Sequence, residues 1–304
     1  MHQIVKLYLP TNIVYTLWIL VCCSIATLGT TVSAQSPELF SFQYHFFPEE
    51  PVTESNDSIA IGISEIETSI RLPIKLSKKL SLLTGGTFGM IFSRSSQDEL
   101  ETELYFIALE TYAIFTLKKN HRLVGVLVPA ISSTLQDKLS TEDLLTQASL
   151  SYFRDVNNRL NFGVGGLYTS RFGRPQFLPL LAFNYYGANV KYNLTLPLTL
   201  QVTWAYEKRL SYGLVISVNG SQYNTSQATR FFTSTIDAID FSRVLIGPEL
   251  GIRLKGPLHL TLSGGICTRR VLQLNARGGQ DQDLSLDAGA FLTAKFSLKP
   301  NIQK

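Results

Sequence analysis

Three charged residues spaced by four, Glu67, Arg71 and Lys75, are the first candidates for chemistry in this chain of 304 residues. On a β-strand that spacing puts all three on one face, where opposite charges can pair or share water. Further charges fall on the polar faces of other alternating segments: Glu110, Arg243, Glu249, Arg253, Arg269, Asp287 and Lys295. Facing lipid at mid-depth, an Arg or Lys would cost roughly 2–4 kcal/mol, so in membrane-spanning strands these residues should point into a lumen. Their mixed signs allow a pore lined by solvated charges or a narrow lumen crossed by paired ones. The paired lumen is the preferred reading. Arg243, Glu249 and Arg253 alternate along one strand, and Asp287 and Lys295 lie two strands on. At roughly 4.8 Å per neighbouring strand these groups stand about 10 Å apart, so they are expected to meet one another.

Other chemistry is sparse. His45, His121 and His259 sit on three separate segments without ligand spacing, which argues against a metal site. Neither a nucleophile elbow nor a phosphate-binding loop is present. Gly85-Gly86 and Gly163-Val164-Gly165-Gly166 lie inside strand patterns, where glycine marks a bend or close packing. His45, beside Glu49 and Glu50, is the one arrangement at the outer end that an enzyme could use, and a solvated loop is the simpler reading. No cofactor and no enzymatic activity are expected.

The elements that position these residues are strands. In Leu198–Tyr206, Leu198, Leu200, Val202, Trp204 and Tyr206 alternate with Thr199, Gln201, Thr203 and Ala205. A period of two signals one apolar and one wet face, and that apolar row is expected to face outward. Fourteen such segments can be read, at 38–47, 58–76, 80–93, 102–117, 121–132, 146–154, 158–169, 177–186, 190–196, 198–206, 210–222, 240–254, 257–274 and 283–297. Twelve is the alternative count. In 58–76 the apolar phase slips from odd (Ile59, Ile61, Ile63) to even (Ile70, Leu72, Ile74, Leu76), which predicts a bulge near Ser64–Glu65. The connections alternate too. Tight polar turns such as Ser77-Lys78-Lys79 and Gly187-Ala188-Asn189 follow even strands, and longer links such as 133–145 and 223–239 follow most odd ones. Pro197 alone separates two strands and is read as a short hairpin. The fold expected is all-β: a closed antiparallel up-and-down transmembrane barrel with short periplasmic turns and long outer loops.

Composition fits that reading. Residues 1–34 look like a secretory signal, with Lys6, an apolar run from Ile13 to Leu28, and Val32-Ser33-Ala34 before the cleavage point. Residues 35–304 then form one barrel domain, whose one remaining cysteine, Cys267, excludes an internal disulfide. The formal charge of +4 is spread without a basic block, so no nucleic-acid partner is indicated. Apolar residues make up 45%, as in a soluble protein but also as in a barrel whose lipid-facing and lumen-facing residues alternate. Aromatics gather near strand ends, for instance Phe40, Phe42, Tyr185, Tyr186 and Trp204, as in an interfacial girdle. The last strand, with Gly289, Phe291 and Phe296, is similar to the signal read by the outer-membrane assembly machinery.

Phe177-Leu178-Pro179-Leu180-Leu181-Ala182-Phe183-Asn184-Tyr185-Tyr186, Leu194-Thr195-Leu196-Pro197, Ile246-Gly247-Pro248-Glu249-Leu250-Gly251 and Gly264-Gly265 resemble an uncharacterised outer-membrane β-barrel family of Bacteroidota. That resemblance spans most of 58–297 and implies a barrel in the outer membrane of a Gram-negative bacterium, without catalytic residues. The activity expected is passive passage of a small or amphipathic solute, with outer-membrane lipid and the assembly machinery as the other partners. A structural or surface-binding barrel acting through its outer loops is the alternative. An outer-membrane enzyme and a soluble secreted β-sandwich rank lower.

Overall fold

The computed structural model describes residues 38–51, 60–95, 102–136, 138–205, 209–225, 230–231, 234–276 and 282–300. The expected signal segment lies outside them. The strands are β1 (Phe40–Pro51), β2 (Ala60–Lys75), β3 (Leu80–Ser95), β4 (Glu103–Lys118), β5 (His121–Ser133), β6 (Leu144–Asn157), β7 (Leu160–Thr169), β8 (Gln176–Tyr186), β9 (Val190–Leu196), β10 (Thr199–Ala205), β11 (Leu210–Asn224), β12 (Arg230–Phe231), β13 (Ser234–Arg253), β14 (Leu258–Ala276), β15 (Gln282–Leu286) and β16 (Gly289–Leu298). Fourteen of them close an antiparallel ring: β1 to β11 in order, then β13, β14 and β16, which pairs back onto β1. β12 is a two-residue strand on β13, and β15 continues β16 beyond an interruption at 287–288. One closed ring replaces the two sheets of a sandwich, and the count is fourteen rather than twelve.

The hairpin at Pro197 is present, with Thr199 opposite Thr195. Tight turns and both described chain ends share one rim, where Leu39 N–H donates to the Leu298 carbonyl. Following the register around the wall gives each residue its side. Leu109, Leu150, Val164, Leu181 and Leu292 point outward and are 55–62% exposed. A water-soluble fold would bury such a belt; lipid accepts it. Leu200, Val202 and Trp204 belong to this outer face, opposite Ile216, Leu214 and Tyr212, and are half-buried among their neighbours. Leu198 does not belong to it. At the hairpin tip it turns inward against the cluster of Leu167, Leu180 and Ala182. Tyr206 lies outside the described residues.

No bulge occurs near Ser64–Glu65: β2 pairs with β3 without a shift from Ile61 to Lys75. The irregularity is in β1, between Phe47 and Glu50. The apolar phase slips because the barrel interior itself becomes apolar towards the outer end. There Phe47, Ile61, Ile63, Leu104, Phe241, Leu245, Leu274 and Phe291 are buried in one cluster, so inward residues of β2 are hydrophobic at the top and charged below.

That dry cluster exists because the ring narrows. β5 and β11, six places apart at the base, pair at the top through Ser133 and Asn224. Ser132 Oγ donates to the Gln222 carbonyl at 2.6 Å, and Thr134 N–H to the Asn224 carbonyl at 3.2 Å. The outer mouth is therefore closed by the wall itself over β1–β5, β11, β13, β14 and β15. Strands β6–β10 end lower, and loops cover the step they leave.

Candidate functional site: a stratified lumen

Inside the wall, polar residues form three tiers. Nearest the tight turns, Arg122 on β5 donates to Asp155 on β6 at 2.7 Å. Glu38, just before β1, holds Lys295 at 2.6 Å and Lys299 at 3.0 Å. Burial alone would raise the Glu38 carboxyl, but these two ammonium groups bring it below its ordinary value.

In the middle tier Arg71, Gly85 and Glu110 stand in one row across β2, β3 and β4. Arg71 Nε donates to Glu110 Oε2 at 2.6 Å, passing over Gly85. A Cβ at Gly85 would come 1.8 Å from the Ile70 carbonyl oxygen and 2.8 Å from the Arg71 Cα. Glycine is the residue that lets the pair lie flat on the wall. Thr87 Oγ1 donates to the second Glu110 oxygen at 2.7 Å. Across the lumen Glu249 accepts from Gln201 Nε2 at 2.8 Å. Glu67 faces inward between them and is exposed, so this tier contains open space.

The upper tier lies under the dry cluster. Arg243 on β13 makes a bidentate pair with Glu65 on β2, and its guanidinium carbon sits 4.0 Å from the centre of the Phe47 ring. His45, on the strand next to Glu65, bonds Thr293 at 2.7 Å and also contacts Gln43.

Most of the charges expected in the lumen face inward by register: Glu67, Arg71, Lys75, Glu110, Arg243, Glu249, Arg253 and Lys295. Their partners differ from those expected. Arg243, Glu249 and Arg253 do not pair with one another; Arg243 takes Glu65, Glu249 takes Gln201, and Lys295 takes Glu38 rather than Asp287.

Two members are misplaced. β14 carries a bulge in which Ser242 opposes Val271 and Val244 opposes Thr268, leaving Arg269 and Arg270 together opposite Arg243. Arg269 takes a left-handed conformation, φ 51°, and points to an exposed position, while Arg270 takes the inward place and is buried. Asp287 lies in the interruption between β15 and β16, exposed, with its backbone N–H directed at the Pro51 carbonyl. There the alternation restarts, so Leu286 is buried inward instead of sharing the outer face of β16. Gln201 follows from the alternation of β10, whereas Glu65 lies where the inner face of β2 turns apolar and Arg270 follows the bulge in β14, so alternation alone did not single these two out.

Two loops roof the low side. In the β5–β6 loop, Ser140 caps a short 3-10 turn, Thr141–Asp143. Asp143 accepts from Ser140 N–H at 2.6 Å and from Asn224 Nδ2 at 2.9 Å. Burial would raise its carboxyl, yet the hydrogen bonds from Ser133, Ser140 and Asn224 outweigh this and lower it. In the β7–β8 loop, Arg174 donates to Asp240 at 3.0 Å and to Asn275 at 2.9 Å, both on the narrowed upper ring. Arg171 of this loop acts electrostatically on Glu67 and Tyr112 below. Beneath the roof the inner wall is apolar, with Leu167, Leu178, Leu180 and Ala182 backed by Phe153 and Leu198. The interior therefore has a charged side and an apolar, packed side. A separate groove of about 830 Å³, lined by Tyr44, Trp204, Tyr212, Leu214, Leu250 and Leu262, lies on the lipid-facing surface. Among the described residues no group of His, Cys, Asp and Glu is arranged to hold a metal ion.

An apolar outer belt, a charged interior and an antiparallel ring closed from β16 to β1 define an up-and-down β-barrel of the outer-membrane type. The chain belongs to the family described as a domain of unknown function (DUF6268), whose model matches residues 31–296. No curated protein is a significant match. Similar solved structures include the COG4313 outer membrane channel from Pseudomonas putida F1, at 9% identity and TM-score 0.44 over 87% of this chain and 96% of that one. The translocator domain of the autotransporter NalP from Neisseria meningitidis aligns at 11% identity and TM-score 0.40, covering 95% and 96%. A Pseudomonas aeruginosa FadL homologue aligns at 11% identity and TM-score 0.32, covering 86% and 89%.

Proposed function

We propose that this protein is a passive channel in the outer membrane of a Gram-negative bacterium, delivered by its signal segment and folded by the barrel-assembly machinery. Its solute is small and amphipathic. The two-sided interior is the observation that carries this reading. Glu67, Arg71 and Glu110 carry charge on one side, and the cluster of Leu167, Leu178 and Leu180 makes the other apolar. A solute with a polar head and an apolar body satisfies both sides, whereas a small ion would leave the apolar side wet. The direct outer exit is blocked by the dry cluster, so passage runs under the β5–β6 and β7–β8 loops on the low side. The pairs that fix the wall limit the bore and keep ionic conductance small. Reconstitution into planar bilayers and into liposomes tests this. Low single-channel conductance with faster uptake of short amphipathic solutes than of sugars of equal size is the expected result. Neither current nor solute uptake from folded protein would remove the channel reading.

The closed mouth favours a second reading, a surface-binding barrel that uses its outer loops. It predicts a folded, non-conducting protein whose loops bind a partner on intact cells.

A further inference from the structure

We infer that Arg270 and Arg243 form a binding site for an oxyanion carried on an apolar chain, inside the narrowed outer end of the barrel. The bulge in β14 sets Arg270 beside Arg243, so two guanidinium groups face the same interior region from adjacent strands. Arg270 is 1% exposed and Arg243 3%. Glu65 satisfies Arg243 through both of its terminal nitrogens. Nothing among the described residues does the same for Arg270, whose Nε, Nη1 and Nη2 all lack a hydrogen-bond partner. Glu50 acts on Arg270 through space but does not bond to it.

Like charges side by side repel, and a buried, unpaired guanidinium is among the most costly groups a protein can hold. An arginine always carries its charge, so it cannot escape by giving up a proton. The arrangement is complete once an anion occupies the fork of Arg270 with two parallel N–H···O bonds, as carboxylates and phosphates do. The surroundings set the rest of the ligand. Leu286 lies directly opposite Arg270, and Phe291, Leu274 and Ile236 belong to the same dry cluster. A free inorganic anion would have to shed its water into this apolar lining, while an alkyl chain packs against it. A fatty-acid carboxylate and an alkyl phosphate monoester share this chemistry.

This site goes beyond the channel reading: it lies in the closed outer end, off the route beneath the loops, and would hold its ligand whether or not the barrel conducts. Binding can be present without conduction, and conduction without binding, so the two fail separately. The purified full barrel in nonionic detergent is titrated with dodecanoate, dodecyl phosphate, dodecanol and inorganic phosphate, following thermal unfolding and direct binding. Dodecanoate or dodecyl phosphate should raise the melting temperature of the parent protein, and dodecanol and inorganic phosphate should not. Whichever of the first two binds more tightly identifies the headgroup. Arg270→Met should abolish the shift and weaken binding by about ten-fold or more, the scale of one lost charge-assisted hydrogen bond. The ligand-free variant should also melt higher than the parent, because an unpaired buried charge has been removed. Arg270→Lys, which keeps the charge but loses the fork, should bind with intermediate affinity. Equal binding by Arg270→Met, no binding by the parent, or an Arg270→Met protein that is less stable or fails to fold would each overturn the site. The last would show that the protein itself supplies the partner of Arg270.

Discussion

Arg243 and Glu65 stand on strands four places apart in the wall, yet Arg243 Nη1 donates to Glu65 Oε1 at 2.5 Å. Along the wall four strand spacings amount to roughly 19 Å, so the pair is a chord through the lumen rather than a contact along the sheet. It fastens β2 to β13 directly under the dry cluster. Removing one partner leaves the other charge buried and alone, which costs about 3–5 kcal/mol. Arg243→Ala and Glu65→Ala should each lower stability by that order in urea unfolding followed by gel mobility. Arg243→Met combined with Glu65→Leu should recover most of the loss. Additive single effects would show that the two side chains do not meet.

The apolar belt makes a simpler prediction. Leu214 is 51% exposed on the outer face and pairs in register with Val202 and Pro248. Leu214→Arg should cost roughly 2–4 kcal/mol in lipid vesicles, whereas Lys79→Arg in a tight turn should cost almost nothing. Equal effects would place Leu214 away from hydrocarbon.

How far these features were legible in the sequence depends on whether the period of two ran unbroken. In β4, β8 and β13 it did, and inward Glu110 and Glu249 followed directly. In β2 the strand ran on while its inner face changed from charged to apolar, and the pattern imitated a bulge that is not there. In β14 a real bulge left no apolar signal, because both Arg269 and Arg270 are charged and either could have taken the inward place. Leu198 was misread for a related reason: a two-residue hairpin at Pro197 breaks the alternation before the strand begins. Pairing was harder still. Nothing local links Arg243 to Glu65 across 178 residues, since that contact depends on ring closure and on the narrowing by β5 and β11.

Gly85 tests the middle tier. Its place between Arg71 and Glu110 tolerates no Cβ without displacing the Ile70 carbonyl and the Arg71 backbone. Gly85→Val should therefore destabilise the barrel even though valine favours strands, and Gly86→Val, facing outward with its nearest neighbour 3.7 Å away, should be neutral or mildly stabilising. Comparing urea midpoints of the two variants separates a local steric effect from general strand propensity.

Acid should loosen the closing seam through Glu38. Its folded carboxyl titrates below the ordinary value of 4.5, because Lys295 and Lys299 outweigh the opposing effect of burial. A depressed carboxylate stabilises the fold fully above its unfolded value, and this contribution is lost as pH falls through the lower folded value. Between neutral pH and pH 5 the seam between β1 and β16 should hold; below about pH 4 its stability should fall. Glu38→Gln should be less stable than the parent at pH 7, and the difference should shrink as pH falls below the ordinary carboxylate range. A constant difference across that range would mean that the carboxylate does not act by charge.

The roof loops decide whether the chamber opens. The β7–β8 loop is held to the upper ring by Arg174, which bonds Asp240 and Asn275. The β5–β6 loop is held by Asp143 on Asn224. Neither anchor belongs to the strands below the step, so removing them should free the loops without unfolding the wall. Arg174→Ala and Asp143→Ala should each raise single-channel conductance or open probability in planar bilayers, and the double variant should exceed both. Acid gives an independent handle, because Asp143 loses its charge only below the ordinary carboxylate range. The parent channel should therefore show increased opening on acidification of the outer side, and Asp143→Asn should be open already at neutral pH and lose that response. Heat-stable gel mobility identical to the parent confirms that the wall is intact. If conductance stays unchanged with both loops released while the protein is folded, the exit does not lie beneath them, and the surface-binding reading takes precedence.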